Sequence, residues 1–295
     1  MSRPAARQAA LLLAPAVVLL VVLAVVPIAG AMWTSLHHDV GLGDRRFAGL
    51  TNYAGLVADP AVRGALVFTL MFVAVSVPAE LGLGLAMAVL MHRGLAARGW
   101  LRALLLVPWA IPTVVSSWMW LYIFDGDRGL LNYLLFGAGT QDYVTFLRHT
   151  GLARLAVIVA DVWKTTPFVA LILLAGLQSI PRDLYEAARV DGAGALRRFA
   201  SITLPLLRPA ILVALLFRTI DAFRVFDLVY VMTSGRAGTS VLQFVGYQRL
   251  INESDYGSGT AIAVTVFALI AIVSIAYVRF VGAALVAPDA GGRRA

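Results

Sequence analysis

Six long apolar segments set the strongest limit on what this chain can fold into. A helix needs about 20 apolar residues to cross the hydrocarbon core of a bilayer, and every one of these segments is long enough. They cover residues 9–33, 64–91, 101–124, 153–178, 206–230 and 260–282. Only 14% of the residues are charged, whereas about 25% are charged in ordinary soluble domains. The sequence therefore predicts an all-α integral membrane protein with six transmembrane helices and no separate soluble domain.

The distribution of arginine predicts how the chain is oriented. Six spans place both termini on one side of the membrane, and basic residues accumulate in cytoplasmic loops. With the termini inside, the inner segments hold thirteen Arg and the outer loops hold eight. We therefore expect a cytoplasmic N-terminus at residues 1–8, a six-helix transmembrane domain at 9–283 and a disordered cytoplasmic tail at 284–295. The net charge of +8 is explained by this bias, without a nucleic-acid partner.

The first apolar segment also allows another interpretation. Arg3 and Arg7 precede it and a small-residue stretch, residues 29–31, ends it, which is the pattern of a cleavable signal peptide. The apolar core of a signal peptide is about 7–15 residues long, and this segment is longer. The length favours a transmembrane helix.

The sequence lacks the motifs of common catalytic and metal sites. There is no cysteine, so thiolate chemistry and disulfides are excluded. A P-loop needs glycines just before its Lys, but the one lysine, Lys164, follows Trp163 and has no glycine close upstream. The adjacent His37 and His38 are more typical of a solvated loop than of a metal site. We expect no enzymatic activity, no bound cofactor and no metal in this chain.

A polar segment, EAARVDGAGALRRFASITLP, interrupts the apolar pattern between the fourth and fifth predicted spans. A helix is predicted to begin near Pro181, because proline fits the first turn, and to end at Gly192, which permits a sharp turn. A second short helix follows, with an apolar face at Ala195, Phe199 and Ile202. The pattern suits either an amphipathic connector lying on the membrane or a docking element for a cytoplasmic protein.

The same segment resembles the EAA loop of ABC-importer permeases. The motif is Glu-Ala-Ala, three residues, Gly192, nine residues and then Ile-Thr-Leu-Pro. The wider segment LQSIPRDLYEAARVDGAGALRRFASITLPLLRP is similar to the carbohydrate-importer branch, which carries maltose, trehalose or glycerol-3-phosphate. Four other stretches are similar to that branch as well, so that the resemblance covers nearly the whole chain: GLTNYAGL, VPWAIPTVVSSWMWLYIF, DVWKTTPFVALILLAGL and FRVFDLVYVMTSG.

The resemblance implies a type I ABC-importer permease in a bacterial plasma membrane. Residues 181–205 would form a coupling loop that inserts into a groove of a cytoplasmic ATPase. The other subunits implied are a second homologous permease, two copies of the ATPase, which use ATP and Mg, and an extracytoplasmic binding protein that delivers the sugar. The residues expected to dock the ATPase are Glu186, Ala187, Ala188, Asp191, Gly192, Ala193 and Phe199.

Ionisable residues inside predicted spans are costly and are candidates for function. This chain has seven, three of them cations and four anions: Glu80, Asp161, Lys164, Arg218, Asp221, Arg224 and Asp227. Six of them form i, i+3 pairs (161/164, 218/221 and 224/227), which are close enough to interact on a helix. They are either structural pairs or part of a transport pathway.

Two helix faces are expected to line the sugar path. Asp161 and Thr165 share a face of the fourth span, which Pro167 should kink, and Trp109 and Thr113 share a face of the third. The resemblance implies that these faces contact the substrate: a ring stacks on the C–H face of a sugar, and hydroxyl and carboxylate groups bind its hydroxyls. The expected path residues are Trp109, Thr113, Asp161, Thr165, Asp221 and Arg224.

Other functions remain possible from the residues alone. An ion-coupled secondary transporter would use the buried acid–base pairs, but such folds contain internal repeats and the sequence shows no convincing symmetry. It would also leave the EAA segment unexplained. An importer of the same class for glycerol-3-phosphate is a further alternative, although the nearly balanced charges in the spans favour a neutral sugar.

Overall fold

This computed structural model describes residues 3–41, 45–92, 99–137 and 143–286, which contain fourteen α-helices, four short π- or 3-10-helical turns and one pair of two-residue strands. The helices are α1 (Arg3–Leu20), α2 (Val26–Ser35), α3 (Thr51–Ala58), α4 (Pro60–His92), α5 (Gly99–Ala110), α6 (Thr113–Ile123), α7 (Leu130–Phe136), α8 (Thr150–Gln178), α9 (Arg182–Val190), α10 (Ala195–Arg198), α11 (Leu204–Phe223), α12 (Asp227–Met232), α13 (Leu242–Tyr247) and α14 (Tyr256–Val286). Strands β1 (His37–His38) and β2 (Arg46–Phe47) pair antiparallel.

Five helical stretches within the described ranges are long and apolar enough to cross a membrane. They are Leu12–Ser35, Pro60–His92, Thr150–Gln178, Ala195–Phe223 and Tyr256–Arg279. A sixth span results if the bent pair of α5 and α6 is counted as one. The predicted all-α membrane fold is confirmed, and each of the six predicted segments corresponds to one of these stretches.

The third span differs from the prediction, because it is not one continuous helix. The parts Ala103–Ala110 and Thr113–Ile123 meet at 95°. Proline has no N–H and disfavours helical conformation at the residue before it, so the helix stops ahead of Pro112. Pro112 is extended, with ψ 139°, and caps the start of α6.

The fifth span is also shorter than the predicted 206–230. Helix α11 ends at Phe223, and the chain leaves helical conformation at Phe226, where φ is −140°. A new helix, α12, begins at Asp227, because a carboxylate in the first turn stabilises a helix N-terminus.

The two predicted terminal segments fall partly outside the described residues. Helix α1 begins at Arg3, within the predicted cytoplasmic segment 1–8, and residues 1–2 lie outside. Helix α14 extends to Val286, so residues 284–286 of the predicted disordered tail are helical. Residues 287–295 lie outside the described part.

The chain divides into two compact units. The larger comprises residues 64–244 and 268–295 and contains the candidate site. In its core, α4, α8 and α11 contact one another through buried apolar residues that include Met91, Leu173 and Leu207. Gly176 permits this close packing: a Cβ there would lie 2.5 Å from the Cβ of Ala210. Small residues at helix contacts are typical of membrane bundles, since they let backbones approach.

The smaller unit comprises Met1–Arg63 and Val245–Phe267. Asp39 organises its loops, since it accepts hydrogen bonds from Arg45 at 2.8 Å and from the Gly41 N–H at 3.1 Å. These bonds, that of Arg45 above all, hold the pKa of the Asp39 carboxyl below its ordinary value. Arg249 further links this unit by binding Asp59 at 2.6 Å.

Candidate functional site

The polar segment between α8 and α11 folds as two short helices around a tight turn. Helix α9 begins after Pro181 and has Asp183 in its first turn and Arg189 in its last, and both charges complement the helix dipole. Gly192 then has φ +72°. The Ala193 N–H donates to the Ala188 carbonyl at 2.8 Å and the Gly192 N–H donates to the Arg189 carbonyl at 3.0 Å. These two bonds define a Schellman motif, so the predicted turn at Gly192 is confirmed.

The second half of this segment is tied back to the first by side chains. Residues 199–203 form a single π-helical turn that joins α10 to α11. Arg198 Nη1 donates to the Ala193 carbonyl at 2.5 Å. The hydroxyls of Tyr185 and Thr203 lie 2.9 Å apart. These contacts fix the two short helices to each other and to the start of the fifth span.

The predicted docking residues differ in their exposure. Glu186, Ala187, Asp191 and Gly192 are exposed, whereas Ala188, Ala193 and Phe199 are half-buried. Two apolar residues next to the turn are almost fully exposed: Val190 at 89% and Leu196 at 81%. The sequence analysis did not select Val190 and Leu196, although apolar side chains beside a glycine turn in a polar segment are a usable signal for a contact surface.

A cavity of about 670 Å³ lies beside this loop. The ends of α4 and α8 contribute His92 and Leu177 to its wall. The loop contributes a mostly cationic lining, which includes Arg182, Glu186, Arg189 and Arg198. The loop therefore presents both an apolar tip and a charged recess.

A second group of functional candidates forms a buried charge cluster in the membrane-spanning part. The guanidinium of Arg218 binds both oxygens of Glu80, with Nη2 at 2.9 Å from Oε1 and with Nε on Oε2. The same Nη2 binds Asp161 Oδ2 at 2.7 Å. Thr165 Oγ1 donates to Glu80 Oε1 at 2.8 Å. Glu80 is fully buried and Arg218 is 2% exposed, so three spans are joined by ion pairs away from water.

Asp221 forms the accessible edge of this cluster. Its Oδ2 lies 2.5 Å from Arg218 Nη1, and its side chain is 70% exposed. The predicted i, i+3 pair of Arg218 and Asp221 is therefore present. Because Asp161 and Thr165 belong to the same cluster, the structure brings together three of the six predicted path residues.

The other two predicted pairs, 161/164 and 224/227, form no direct ion pair among the described residues, although Asp161 attracts Lys164 electrostatically. Lys164 Nζ donates to the Ile111 carbonyl at 2.6 Å, whereas Asp161 binds Arg218. Arg224 and Asp227 lie on opposite sides of the break between α11 and α12, so they are not neighbours on one helix. Both are exposed.

The prediction that Trp109 and Thr113 share a face of the third span is also wrong. The break at residues 111–112 places Trp109 in α5 and Thr113 in α6. Residues at i, i+4 share a face only within one continuous helix, so this spacing does not bring the two side chains together. Trp109 is 46% exposed and stacks on Phe168 of α8 with ring centroids 5.7 Å apart. Thr113 is half-buried, and its carbonyl accepts bonds from the hydroxyls of Ser116 and Ser117.

The sequence analysis did not select Glu80 and Arg218, the two residues at the centre of the cluster. Glu80 and Arg218 were recognised as ionisable residues in spans but were not selected for the path. A lone carboxylate in one span and a buried arginine in another are a signal for pairing, since neither is stable in the membrane interior alone. No cluster of three or more possible metal ligands occurs within the described ranges.

Comparison with known proteins identifies the family. The family model described as binding-protein-dependent transport system inner membrane component matches residues 80–285. The trehalose/maltose transport system permease protein MalF of Thermococcus litoralis is 43% identical over 275 residues, which cover 91% of this chain and 92% of that protein. The trehalose transport system permease protein SugA of Mycobacterium tuberculosis is 42% identical over 295 residues, which cover 99% and 94%.

A solved structure has the same fold. A chain in the crystal structure of a bacterial ABC transporter involved in the import of the acidic polysaccharide alginate superposes with a TM-score of 0.79. The match covers 92% of this chain and 94% of that one, at 20% sequence identity. The protein thus belongs to the family of binding-protein-dependent transport system inner membrane components, the non-catalytic permease subunits of ABC importers.

Proposed function

We propose that this chain forms half of the membrane pathway of an ATP-driven importer for a neutral disaccharide such as trehalose or maltose. The observation that carries the proposal is the Gly192 turn. It presents the EAA segment as a rigid, exposed element directly between the fourth and fifth spans. The relatives with the names given above support a sugar as the substrate.

In this proposal α9 and α10 dock a cytoplasmic ATPase. Val190 and Leu196 insert into a groove of the partner, because large exposed apolar side chains gain most from burial. Glu186 and Asp191 orient the contact, and Ala187, Ala188 and Ala193 allow close approach. In the proposal this loop and both termini lie in the cytoplasm, and the arginine bias supports that orientation.

The charge cluster supports a neutral substrate. Glu80 and Asp161 are balanced by Arg218 and Lys164 among the buried groups. The exposed edge adds the Asp221 carboxylate, which can accept hydrogen bonds from sugar hydroxyls. Trp109 offers a ring on which an apolar sugar face can stack. Thr165 and Asp161 hold Glu80 and Arg218 in place and so act behind the path rather than in it.

The remaining parts of the importer come from other subunits. We propose a second, homologous permease, two ATPase copies that bind ATP and Mg, and an extracytoplasmic binding protein. This chain itself holds no cofactor in the proposal. Its spans move between inward-open and outward-open states when the ATPases pull on the docked loop.

The test is uptake by the assembled transporter in proteoliposomes that enclose ATP. Radiolabelled trehalose, maltose and glycerol-3-phosphate are offered with the cognate binding protein. We expect uptake of one of the disaccharides that requires both ATP and the binding protein. Uptake that follows an ion gradient and ignores ATP, or uptake of glycerol-3-phosphate alone, would contradict the proposal.

A further inference from the structure

The break in the third span leaves a backbone carbonyl without its helical partner. Helix α5 ends at Ala110, and the first bond of α6 runs from the Ser116 N–H to the Pro112 carbonyl at 3.0 Å. The Ile111 carbonyl therefore lies at the end of α5, where backbone acceptors need partners from elsewhere. It also lies at the negative end of the helix dipole, which attracts a cation.

Lys164 supplies that partner. Its Nζ lies 2.6 Å from the Ile111 oxygen, and the residue is 9% exposed. Lys164 is the one lysine in a sequence that otherwise uses arginine for every cationic side chain. A compact ammonium can reach one carbonyl, whereas a guanidinium is a planar fork suited to carboxylates. The lysine matches the backbone carbonyl, as Arg218 matches its carboxylates.

The same stretch of α8 contacts both halves of the broken span. Phe168 stacks on Trp109 of α5, with ring centroids 5.7 Å apart. Trp163 packs edge-on against Trp120 of α6, with centroids 5.6 Å apart. Lys164 lies between these two contacts and binds the joint. Asp161 and Thr165, on either side of Lys164 in the sequence, anchor α8 to the Arg218 cluster.

We propose that Lys164 is a positioning residue that fixes the angle of the break in the third span through the Ile111 carbonyl. It thereby holds Trp109 in place on the pathway. The structural part of this inference stands on the contacts alone, whereas its effect on sugar transport rests on the proposed function.

The angle can be measured directly, because the chain has no cysteine. Leu104→Cys and Val115→Cys place spin labels on exposed positions on either side of the break. Val67→Cys and Leu83→Cys place a control pair on the unbroken helix α4. Distance distributions are recorded in the assembled transporter with Lys164, Lys164→Arg and Lys164→Met.

We expect a narrow distribution for the 104/115 pair with Lys164, and a broadened or shifted one with Lys164→Met. Lys164→Arg should recover part of the narrow distribution, because it retains a cationic donor. The control pair should not change. An identical 104/115 distribution in Lys164→Met would overturn the inference.

A second experiment keeps the lysine and removes the break. Pro112→Ala restores an N–H and allows the helix to take up the Ile111 carbonyl, so Lys164 loses its acceptor. Amine-labelling of Lys164, read on its own peptide by mass spectrometry, should then become faster. Pro78→Ala, within unbroken α4, is the matched control and should leave the rate unchanged. Equal rates in all three proteins would contradict the inference, even if Lys164→Met fails to fold.

The transport readout separates this inference from the proposed function. Lys164→Met should raise the apparent KM for the sugar by no more than the loss of the ring itself would, about 2- to 10-fold, since a misplaced stacking ring weakens binding, while basal ATP hydrolysis persists and Lys164→Arg recovers the KM. If the unaltered transporter takes up no sugar, the proposed function fails, and the spin-label distances still decide the role of Lys164. An altered distance distribution with an unaltered KM would overturn the positioning of Trp109.

Discussion

At the scale of single residues, the stability of the membrane-spanning part depends on the ion pairs of Arg218. Its guanidinium holds carboxylates from three helices, Glu80 from α4, Asp161 from α8 and Asp221 from α11. Charges of this kind are stable inside a membrane only when each has a partner. Burying these charges costs desolvation free energy, so the intact cluster adds little net stability. Removing one member is nevertheless strongly destabilising, because its partner is left buried without an opposite charge.

Arg218→Met should be strongly destabilising. It leaves Glu80 and Asp161 buried without their cation, and removal of one partner of a buried pair costs about 3–5 kcal/mol. The measurement is the thermal midpoint of the detergent-solubilised transporter. Glu80→Gln added to Arg218→Met should recover part of the loss, because one unpaired carboxylate is then neutral.

Arg224→Met is the matched control for that prediction. Arg224 is exposed and follows the end of α11, so its loss should change the stability by less than about 0.5 kcal/mol. Equal midpoints for the two methionine variants would show that the cluster does not stabilise the fold.

Trp109→Ala should weaken sugar handling without preventing assembly. The ring is half exposed and pre-oriented by Phe168, and an aromatic contact contributes about 0.5–1.5 kcal/mol. We expect the apparent KM for the sugar to rise by about 2- to 10-fold. Trp118→Ala, at 49% exposure on α6, is the control. A similar change in both variants would remove Trp109 from the proposed path.

At the scale of elements, the turn at Gly192 determines the geometry of the α9–α10 loop. Its φ of +72° is one that side chains with a Cβ adopt only with strain. Gly194, two residues on, has an ordinary φ of −66° and open space around its Cα. The backbone conformation therefore requires glycine at position 192 but not at position 194, so substitutions at the two positions should have different effects.

Gly192→Pro should abolish ATP-coupled uptake while the chain still inserts into the membrane. Proline fixes φ near −65°, which destroys the Schellman motif and misdirects Val190 and Leu196. Gly194→Ala should transport normally. The measurement is uptake by vesicles, with the amount of membrane-inserted chain determined in parallel. Normal uptake by Gly192→Pro would rule out a docking role for this turn.

The helices also show which parts of the fold could be predicted from the sequence. The six apolar segments predicted the spans, because length and hydropathy alone decide what a bilayer accepts. The break at Pro112 was not predicted, although proline was noted there, because neighbouring groups often let a proline remain within a membrane helix, as Pro78 and Pro167 do here. The contact between Lys164 and the Ile111 carbonyl beside this break joins residues 53 apart in the sequence, and no local pattern encodes it.

The charge cluster was similarly only half predictable. The pair of Arg218 and Asp221 follows from helical spacing. The pairing of Arg218 with Glu80 joins residues 138 apart in sequence, and no local pattern encodes it. Asp161 and Lys164 attract each other electrostatically, as their spacing predicted, but their direct bonds in the described residues go to Arg218 and to the Ile111 carbonyl.

At the scale of the whole molecule, both functional surfaces converge on helix α8. Its middle carries Asp161, Lys164 and Thr165, and its end leads directly into the α9–α10 loop. In the proposed function, force applied to the docked loop can therefore reach the charge cluster through one continuous helix. This arrangement fits a permease subunit that has no ATPase motif of its own and receives its energy from a partner.

The most direct measurement is the composition of the complex that contains this chain. The chain is purified from its native membrane in mild detergent, and the co-purifying subunits are identified by mass spectrometry and native mass. We predict a second homologous permease and two copies of an ABC ATPase, with the ATPase lost in the Gly192→Pro variant and retained in Gly194→Ala. Recovery of the chain alone, or only with copies of itself, would contradict the assignment of the α9–α10 loop as the ATPase-docking element.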